Sequence, residues 1–194
     1  MRKIRIIEHI SLDGVMQHEN DEHFNHSGWS NPYRTPTGLA AVVEAHGTSF
    51  DLLLGRRTYD AWANFWPNAG DNPMANGLNA ATKYVVTHRP ESLEWGPAKA
   101  LGADIIAGIR AIKSTEGPDL VVGGSSTLIS ILLEEGLVDE LVLISYPLLL
   151  GSGKRFFSVS AAAQELAFVR TFTTPTGVVI NTYKYVGALG RSAV

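Results

Sequence analysis

Residues 119–128 read Asp-Leu-Val-Val-Gly-Gly-Ser-Ser-Thr-Leu, an apolar run that ends in two glycines and small hydroxyl residues. The amphipathic stretch 128–136 comes next, so this order predicts a strand, a tight turn and a helix. Glycines let a ligand approach the backbone closely, and a helix start presents free N–H groups at its positive dipole end. Two interpretations follow: a seat for phosphate, or an ordinary strand-to-helix turn, because the spacing is not the dinucleotide fingerprint G-x-G-x-x-G.

Similar units of an apolar run and a helical pattern recur along the chain. The predicted strands cover residues 4–10, 51–54, 83–87, 98–101, 119–122 and 139–146. The predicted helices cover residues 39–46, 59–65, 104–114 and 128–136, and Thr37 and Gly47 are expected to begin and end the first of them. Residues 11–36 form a loop whose length is typical of a functional segment. Residues 67–73, rich in Pro, Asn and Gly, form another loop.

The C-terminal part has a different pattern. Residues 166–174 and 178–185 alternate between apolar and polar side chains and are joined at Pro175-Thr176-Gly177, which predicts an antiparallel hairpin. The whole order indicates an α/β protein with a mostly parallel central sheet, helices on both faces and this hairpin at one edge. We expect one domain over residues 1–186, followed by a short tail at 187–194.

Composition narrows the classes of protein and partner. At 194 residues, with 45% hydrophobic and 18% charged residues, the chain is predicted to form a stable globular core. A net charge of −3 gives no reason to expect nucleic acid or a membrane surface as a partner. The absence of cysteine excludes disulfides, thiolate metal sites and cysteine nucleophiles. Without a signal-peptide core or a long apolar run, we expect a cytoplasmic protein.

Three predicted strands end in residues suited to anions. These strand ends are Gly55-Arg56-Arg57-Thr58, Thr87-His88-Arg89 and Gly123-Gly124-Ser125-Ser126-Thr127. Ligands of open α/β sheets gather at the carboxyl ends of strands, and arginine binds phosphate in a bidentate manner. The three phosphates of NADPH match this arrangement, with helix N-termini on the pyrophosphate and Arg89 with Arg56 or Arg57 on the 2′-phosphate. The alternative is helix capping with solvated arginines. ATP is less favoured because the chain has no G-x-x-x-x-G-K-[ST] loop and no evident carboxylate pair for magnesium.

Several motifs in a fixed order resemble a known family. They are Ser-Leu-Asp-Gly-Val-Met-Gln at 11–17, Gly-Trp at 28–29, Leu-Gly-Arg-Arg-Thr-Tyr at 54–59, Lys-Tyr-Val-Val-Thr at 83–87, Leu-Leu-Gly-Ser-Gly-Lys-Arg-Phe-Phe at 149–157 and Thr-Pro-Thr-Gly-Val-Val at 174–179. Over residues 2–186 the chain resembles the dihydrofolate reductase-like family, which includes the C-terminal reductase domain of the riboflavin-biosynthesis deaminase–reductase. The resemblance implies a three-layer α-β-α fold.

The resemblance also implies a cofactor and a reaction. Members transfer hydride from NADPH, and the nicotinamide lies near the end of the first strand, beside Ile10, Ser11 and Asp13. The three anion-suited strand ends would hold the phosphates and the adenosine, residues 149–153 would form part of the pocket wall, and a homodimer is expected. The implied activity is reduction of a small flat heterocyclic or conjugated substrate, similar to 5-amino-6-(5-phosphoribosylamino)uracil reductase in fold and cofactor use.

Two departures from the family limit this expectation. True dihydrofolate reductases carry a carboxylate on the first long helix, but the corresponding positions here are Gly38 and Leu39, and Glu44 lies more than a turn away. Folate is therefore not the expected substrate. The zinc deaminase motif of the bifunctional riboflavin enzyme is also missing. The alternative is a non-catalytic nucleotide-binding or sensor protein that kept the fold, and hydrolysis is disfavoured because no metal carboxylates or activated nucleophile can be assembled.

Two loop residues are the catalytic candidates. Asp13 either forms an Asx-turn with Gly14 or orients the substrate or the nicotinamide amide. Trp29 either anchors the long loop or closes over a flat heterocycle. Since the cofactor carries the hydride chemistry, the protein's task is positioning and the supply of a proton.

Other side chains have simpler predicted roles. Trp62, Phe65 and Trp66 are spaced as i, i+3 and i+4 on one helix, which indicates core packing. Residues 141–150 are almost all apolar and are predicted to be a strand buried on both faces. The loop histidines His18, His23 and His26 leave two minor alternatives open, a metal site or a proton donor, although their spacing matches no compact metal motif.

Overall fold

A central eight-stranded sheet organises the protein. The computed structural model describes residues 1–157 and 162–190. The strands are β1 (Ile4–Ser11), β2 (Phe50–Gly55), β3 (Lys83–Val86), β4 (Ala98–Leu101), β5 (Asp119–Val122), β6 (Glu140–Tyr146), β7 (Gln164–Thr173) and β8 (Val179–Ala188). Their spatial order is β4-β3-β2-β5-β1-β6-β8-β7. The first six strands run parallel, whereas β8 is antiparallel to β6 and to β7. The predicted mostly parallel sheet with an antiparallel C-terminal hairpin is therefore confirmed.

Helices cover both faces of the sheet. They are α1 (Pro36–His46), α2 (Arg56–Phe65), α3 (Pro73–Ala80), α4 (Ile105–Ser114) and α5 (Ser126–Glu134), with 3-10 turns at Asn31–Tyr33, Trp66–Asn68 and Pro90–Ser92. Two separate cores show which helices share a face. One core contains Ala45, Tyr59 and Leu78 of α1, α2 and α3, and the other contains residues of α4 and α5. The three-layer α-β-α fold is confirmed.

The side chains of β1 alternate between these two cores. Ile4, Ile6 and Ile10 pack with α4 and α5, whereas Ile7 packs on the opposite face. This period of two is the ordinary pleat of a strand with a helical layer on each side. The predicted strand end at residue 10 is extended by one residue, since β1 continues through Ser11.

Three local predictions are corrected by the structure. Thr35, not Thr37, begins α1, and its hydroxyl accepts a hydrogen bond from the Gly38 N–H. Helix α2 begins at Arg56, three residues before the predicted start at 59. Helix α3 follows the loop of residues 67–73 and was not predicted, although Asn72 caps it and Pro73 occupies its first position, which is a recognised start signal.

Two segments near the C-terminus also differ from expectation. The apolar run 141–150 is a buried strand only as far as Tyr146, and Leu149 is 73% exposed beyond it. Strand β8 continues to Ala188, two residues into the predicted tail, and residues 191–194 of that tail lie outside the described part of the chain. Within the described ranges, every helix is too short or too polar to cross a bilayer.

Candidate functional site

A cleft of about 1430 Å³ lies over the carboxyl ends of β1, β2, β5 and β6. Its walls come from α1, from α2 with the turn that follows it, and from the first turn of α5. Two of the three predicted anion-suited strand ends, Gly55–Thr58 and Gly123–Thr127, line it. This is the edge of an open α/β sheet at which ligands bind.

The two glycine-bearing turns are packed directly against each other. A Cβ atom added to Gly55 would overlap the Ser125 Oγ. A Cβ on Gly124 would lie 3.0 Å from Thr58 Oγ1, and one on Gly123 would lie 2.7 Å from Trp62 Cη2. Glycine is required at this corner because the start of α2, on one face of the sheet, meets the start of α5, on the other.

The helices that begin at this corner lack side-chain caps. Thr35, Asn72 and Asp104 cap α1, α3 and α4 by accepting a backbone hydrogen bond. No side chain caps α2 or α5 in this way. The first N–H groups of a helix have no partner within the helix, so the first turns of α2 and α5 bring free donors and two positive dipole ends to one place in the cleft.

Ser125 has an uncommon backbone conformation at this corner. Its φ is 68° and its ψ 70°, in the left-handed region, where every other positive-φ residue of the described chain is a glycine. A non-glycine residue pays about 1–2 kcal/mol for this conformation. Strain of this kind persists where surrounding structure imposes it and is concentrated at functional sites.

Glu8 is a site residue that the sequence analysis did not identify. Its side chain lines the cleft floor but is only 4% exposed. Its Oε2 accepts a hydrogen bond from the Gly124 N–H at 2.7 Å, and its Oε1 accepts one from the His9 N–H at 3.0 Å. Burial raises the pKa of Glu8 to about 7, although the two hydrogen bonds oppose the shift. The available signal was a carboxylate at a position that the period of two places on the same buried face of β1 as Ile6 and Ile10.

A second polar group lies on the other face of β1. His9 Nδ1 is 2.7 Å from the Tyr146 hydroxyl on the neighbouring strand β6, and both side chains line the cleft. Burial lowers the pKa of His9 to about 3, and the positive charge of Arg34 contributes. Burial also raises the pKa of Tyr146 to about 12. The pair therefore stays a neutral imidazole and a neutral phenol at physiological pH.

The opposite wall of the cleft is aromatic. Trp62, Phe65 and Trp66 all line it, and Phe65 is 59% exposed. The predicted role of these residues in core packing is therefore wrong for Phe65 and incomplete for the two half-buried tryptophans. The helical spacing predicts a common face, and that face borders both the core and the open cleft.

The third predicted strand end does not line the cleft. Arg56 Nη1 is 3.4 Å from Thr87 Oγ1 and donates to the Arg89 carbonyl oxygen at 3.0 Å, while its Nε donates to Asp60. Arg89 lies 3.5 Å from the same Asp60 carboxylate. His88, like Thr87 and Arg89, is not among the residues that line the cleft. The guanidinium of Arg56 is thus engaged within the protein. Arg57 lines the cleft, and within the described residues it has no carboxylate within 4.0 Å.

The two catalytic candidates lie outside the cleft lining, as does Ile10. Asp13 accepts hydrogen bonds from the Leu150 and Gly151 N–H groups at 3.1 and 2.8 Å, so it joins the first turn to the 149–153 segment. That segment likewise lies outside the lining. Trp29 is 8% exposed and donates from Nε1 to the Gln17 carbonyl oxygen. Its ring stacks at 4.6 Å under His18, which does line the cleft. Both candidates can act on a ligand only through neighbouring residues.

The loop histidines do not converge on one point. His18 is packed against Trp29, whereas His23 and His26 are exposed. Across the described ranges, no three histidine, aspartate or glutamate side chains are grouped as metal ligands would be.

Comparisons with known proteins found one matching family model and several similar proteins. The family model for the RibD C-terminal domain matches residues 2–180. The uncharacterized protein YyaP of Bacillus subtilis (strain 168) is 29% identical over 140 residues, which cover 70% of this chain and 74% of that protein.

Two solved structures share the fold. One is a protein of Shewanella sp. PV-4 provisionally assigned to riboflavin biosynthesis, with a TM-score of 0.67, 20% identity, and coverage of 95% of this chain and 99% of the other. The second is a pyrimidine reductase-like protein of Corynebacterium diphtheriae, with a TM-score of 0.62, 14% identity, and coverage of 95% and 92%. At these identities the likeness concerns the fold alone.

Proposed function

The chain belongs to the RibD C-terminal domain family, a reductase-like family, and from this membership and its cleft we propose that it is an NADPH-dependent reductase. Its substrate would be a small flat heterocyclic or conjugated molecule. The observation that carries the proposal is the convergence of two uncapped helix N-termini, those of α2 and α5, on one corner of the cleft.

The residues of this corner fit a pyrophosphate. Four helix-start positions, Arg57, Thr58, Ser126 and Thr127, line the cleft and offer backbone or hydroxyl donors. The contacts at Gly123 and Gly124 leave no room for side chains that would cover these donors. The prediction for the 2′-phosphate was Arg89 with Arg56 or Arg57, and of these three Arg57 is the proposed cation, because Arg56 and Arg89 are engaged with Asp60.

The protein's own residues then have positioning roles. NADPH, when bound, would supply the hydride, and residues at the carboxyl end of β1 would hold its nicotinamide. Asp13 and Trp29 would act by holding the turn after β1 and the ring of His18 in place. Folate is not the proposed substrate, since the carboxylate of α1, Glu44, is exposed and pairs with Arg170 at 2.6 Å.

The first helix, α1, lacks the carboxylate of dihydrofolate reductases, and this favours a second candidate function, a nucleotide-binding or sensor protein without catalysis. Gly38 and Leu39 stand where a dihydrofolate reductase has its carboxylate, and both line the cleft. This candidate predicts the same affinity for NADPH as the reductase, but no oxidation of the bound cofactor by any flat acceptor.

Calorimetric titration tests the first step. NADPH is expected to bind with a Kd below 1 mM, and Arg57→Ala is expected to weaken NADPH about tenfold more than NADH. The exposed Lys99 on the far edge strand offers a matched control, Lys99→Ala, with no effect on either. Absence of NADPH binding at millimolar concentration overturns the proposal, and equal losses for the two cofactors overturn the role of Arg57.

Absorbance at 340 nm tests the second step. Pterins, quinones, enals and aminopyrimidines are added to the NADPH complex, and the reductase consumes NADPH with at least one class. If NADPH binds and no acceptor is reduced, the non-catalytic nucleotide-binding or sensor function is supported in place of the reductase.

A homodimer is part of the proposal. The outermost strand β7 exposes Phe168, Val169 and Phe172, between 42% and 61% of each side chain, and apolar patches of this kind mark interfaces. Sedimentation velocity at two concentrations measures the assembly, and a monomer at both would contradict it.

A further inference from the structure

The hydrogen bond between His9 and Tyr146 sits at the part of the cleft that the phosphate corner does not occupy. The two residues lie on the adjacent parallel strands β1 and β6, with Ser11 opposite Tyr146 in the register. The corner lies between β2 and β5, on the other side of β1. If the proposed cofactor spans the corner, His9 and Tyr146 face the molecule that receives the hydride.

The contacts of Tyr146 determine which nitrogen of His9 carries the proton. The Ser30 side chain acts to lower the pKa of Tyr146, against the larger effect of burial. The phenolic proton is then free to be donated to His9 Nδ1, 2.7 Å away. A neutral imidazole has one protonated nitrogen, so a Tyr146 hydroxyl that donates to Nδ1 places the proton of His9 on Nε2, and this is the tautomer that we assign. His9 is left as a hydrogen-bond donor toward the cleft.

The groups around His9 keep it uncharged. His18 lies 5.9 Å away, edge to face, and Arg34 and His46 line the same part of the cleft. Burial is the main cause of the lowered pKa of His9, and the charge of Arg34 acts in the same direction, as would His18 and His46 in their protonated forms. A neutral imidazole can polarise a carbonyl group by donating a hydrogen bond to its oxygen.

The cleft that contains His9 and Tyr146 has walls that suit a flat apolar body. The ring of Tyr33 lies 5.7 Å from that of Tyr146, edge to face. Trp62, Phe65 and Trp66 line the α2 side of the same cleft, where Trp62 borders Gly123, and Leu39 and Val42 of α1 also line it. Phe65 and Leu39 are 59% and 54% exposed, so both present apolar surface that a ligand can cover.

We propose that the substrate is a flat aromatic carbonyl compound, that His9 Nε2 binds its carbonyl oxygen, and that Tyr146 supplies the proton through His9. The proposal rests on the proposed function for the source of hydride, and it adds the substrate class and the two groups that recognise it.

The proton and electron balance is complete. Hydride adds to the carbonyl carbon, and the electron pair of the C=O π bond moves to the oxygen. The oxygen takes the proton from His9 Nε2, while His9 Nδ1 takes the proton from the Tyr146 hydroxyl. The phenolate that remains is stabilised by the charge of Arg34, which acts to lower the pKa of Tyr146, and water returns its proton. The products are an alcohol and the oxidised cofactor.

Nitrogen NMR of ¹⁵N-histidine-labelled protein tests the geometry without turnover. The probe is 9,10-phenanthrenequinone, added to the protein with NADP⁺ so that no hydride is available. We expect His9 to show the Nε2–H tautomer from pH 6 to pH 8 and its Nε2 signal to move on addition of the quinone. In Tyr146→Phe the tautomer preference should be lost. An Nδ1–H tautomer, or a His9 signal insensitive to the quinone, overturns the proposal.

Kinetics with the same quinone and NADPH provide the second arm. We expect His9→Gln and Tyr146→Phe each to lower kcat about 100-fold with the NADPH Kd unchanged, and the exposed His23→Gln to match the wild type. Wild-type protein that binds NADPH but does not reduce the quinone, or variants that keep full kcat, overturn the inference and leave the proposed cofactor in place. The proposed function has a separate test: if NADPH does not shift the amide NMR signals of Gly123–Thr127, the proposed function is overturned. The effect of the quinone on the His9 Nε2 signal still decides the present inference.

Discussion

The carboxylate of Glu8 accepts a hydrogen bond from the Gly124 N–H at 2.7 Å, at the turn that leads into α5. A buried negative charge therefore lies next to the place proposed for a phosphate. Burial raises the pKa of this carboxyl to about 7, so near neutral pH it carries a proton about half of the time. Like charges disfavour each other, so ionised Glu8 and a bound phosphate compete for the same donors.

Binding of NADPH at pH 7.5 should consequently take up a proton at Glu8. A bound pyrophosphate disfavours the ionised form, which raises the pKa of the carboxyl further. Calorimetry in buffers with different ionisation enthalpies measures this uptake. Glu8→Gln should abolish the uptake and bind NADPH more tightly at pH 8. Proton uptake that persists in Glu8→Gln would assign it to another group.

Folding stability should also depend on Glu8. The folded-state pKa, about 7, is above the ordinary value of 4.5, so the folded form holds the proton more tightly than the unfolded chain. Its contribution is fully present below pH 4.5 and is lost as the pH rises through 7, a change on the order of 3 kcal/mol. Urea unfolding at pH 5 and pH 8 checks this. Glu8→Gln should remove the loss, whereas the exposed Glu116→Gln should retain it.

Replacement of Gly123 tests the packing of the corner. In Gly123→Ala the new methyl group would lie 2.7 Å from Trp62 Cη2, so the indole or the turn must move. We expect a loss of about 1–3 kcal/mol in the free energy of unfolding and weaker binding of NADPH. Gly102→Ala is the matched control, because nothing lies within 4 Å of its added Cβ. Equal stability of the two variants would contradict the packing described here.

Asp13 should be important for the loop and not for the bound cofactor. Asp13→Ala removes the acceptor of the Leu150 and Gly151 N–H groups, at a cost of about 1–2 kcal/mol. Burial raises the pKa of Asp13, but its hydrogen bonds with Ser11 and those two amides outweigh it and lower the pKa to about 2. The stabilisation is therefore present above pH 4 and is lost as the pH falls through 2. Thermal unfolding between pH 2 and pH 7 shows it, and a tenfold weaker NADPH Kd in Asp13→Ala would instead indicate a direct role.

Phe65 should affect ligand binding without affecting stability. Because 59% of it is exposed, Phe65→Ala is expected to change the free energy of unfolding by less than about 0.5 kcal/mol, yet weaken phenanthrenequinone binding several-fold. Phe157→Ala is the matched control, since Phe157 is 53% exposed and lies outside the cleft lining. Equal quinone affinity in the two variants would remove Phe65 from the binding surface.

The parts of the fold that depend on neighbouring residues in sequence were predictable. The alternation of apolar runs and helical patterns gave the three layers, and the glycines at 123 and 124 marked the corner that α2 and α5 share. Helix α3 was missed because the prolines and asparagines around residues 67–73 suggest a loop, although Asn72 and Pro73 form a good helix start.

The parts that depend on strand order were not predictable. Glu8 reaches Gly124, and His9 reaches Tyr146, because β5 and β6 flank β1, and no local pattern contains that arrangement. Likewise, the helical spacing of Trp62 and Phe65 identifies a shared face, but only tertiary packing decides whether that face meets the sheet or a cleft.

Alternation along β1 has an evolutionary consequence. Glu8 points to the corner at Gly124 beneath α5, and His9, one residue later, points to the opposite face of the sheet. If the two proposals hold, a substitution at position 9 changes which substrate is accepted and leaves the proposed cofactor corner intact, so a single codon is enough to alter substrate choice. An insertion before residue 8 would exchange the two faces and break both hydrogen bonds at once.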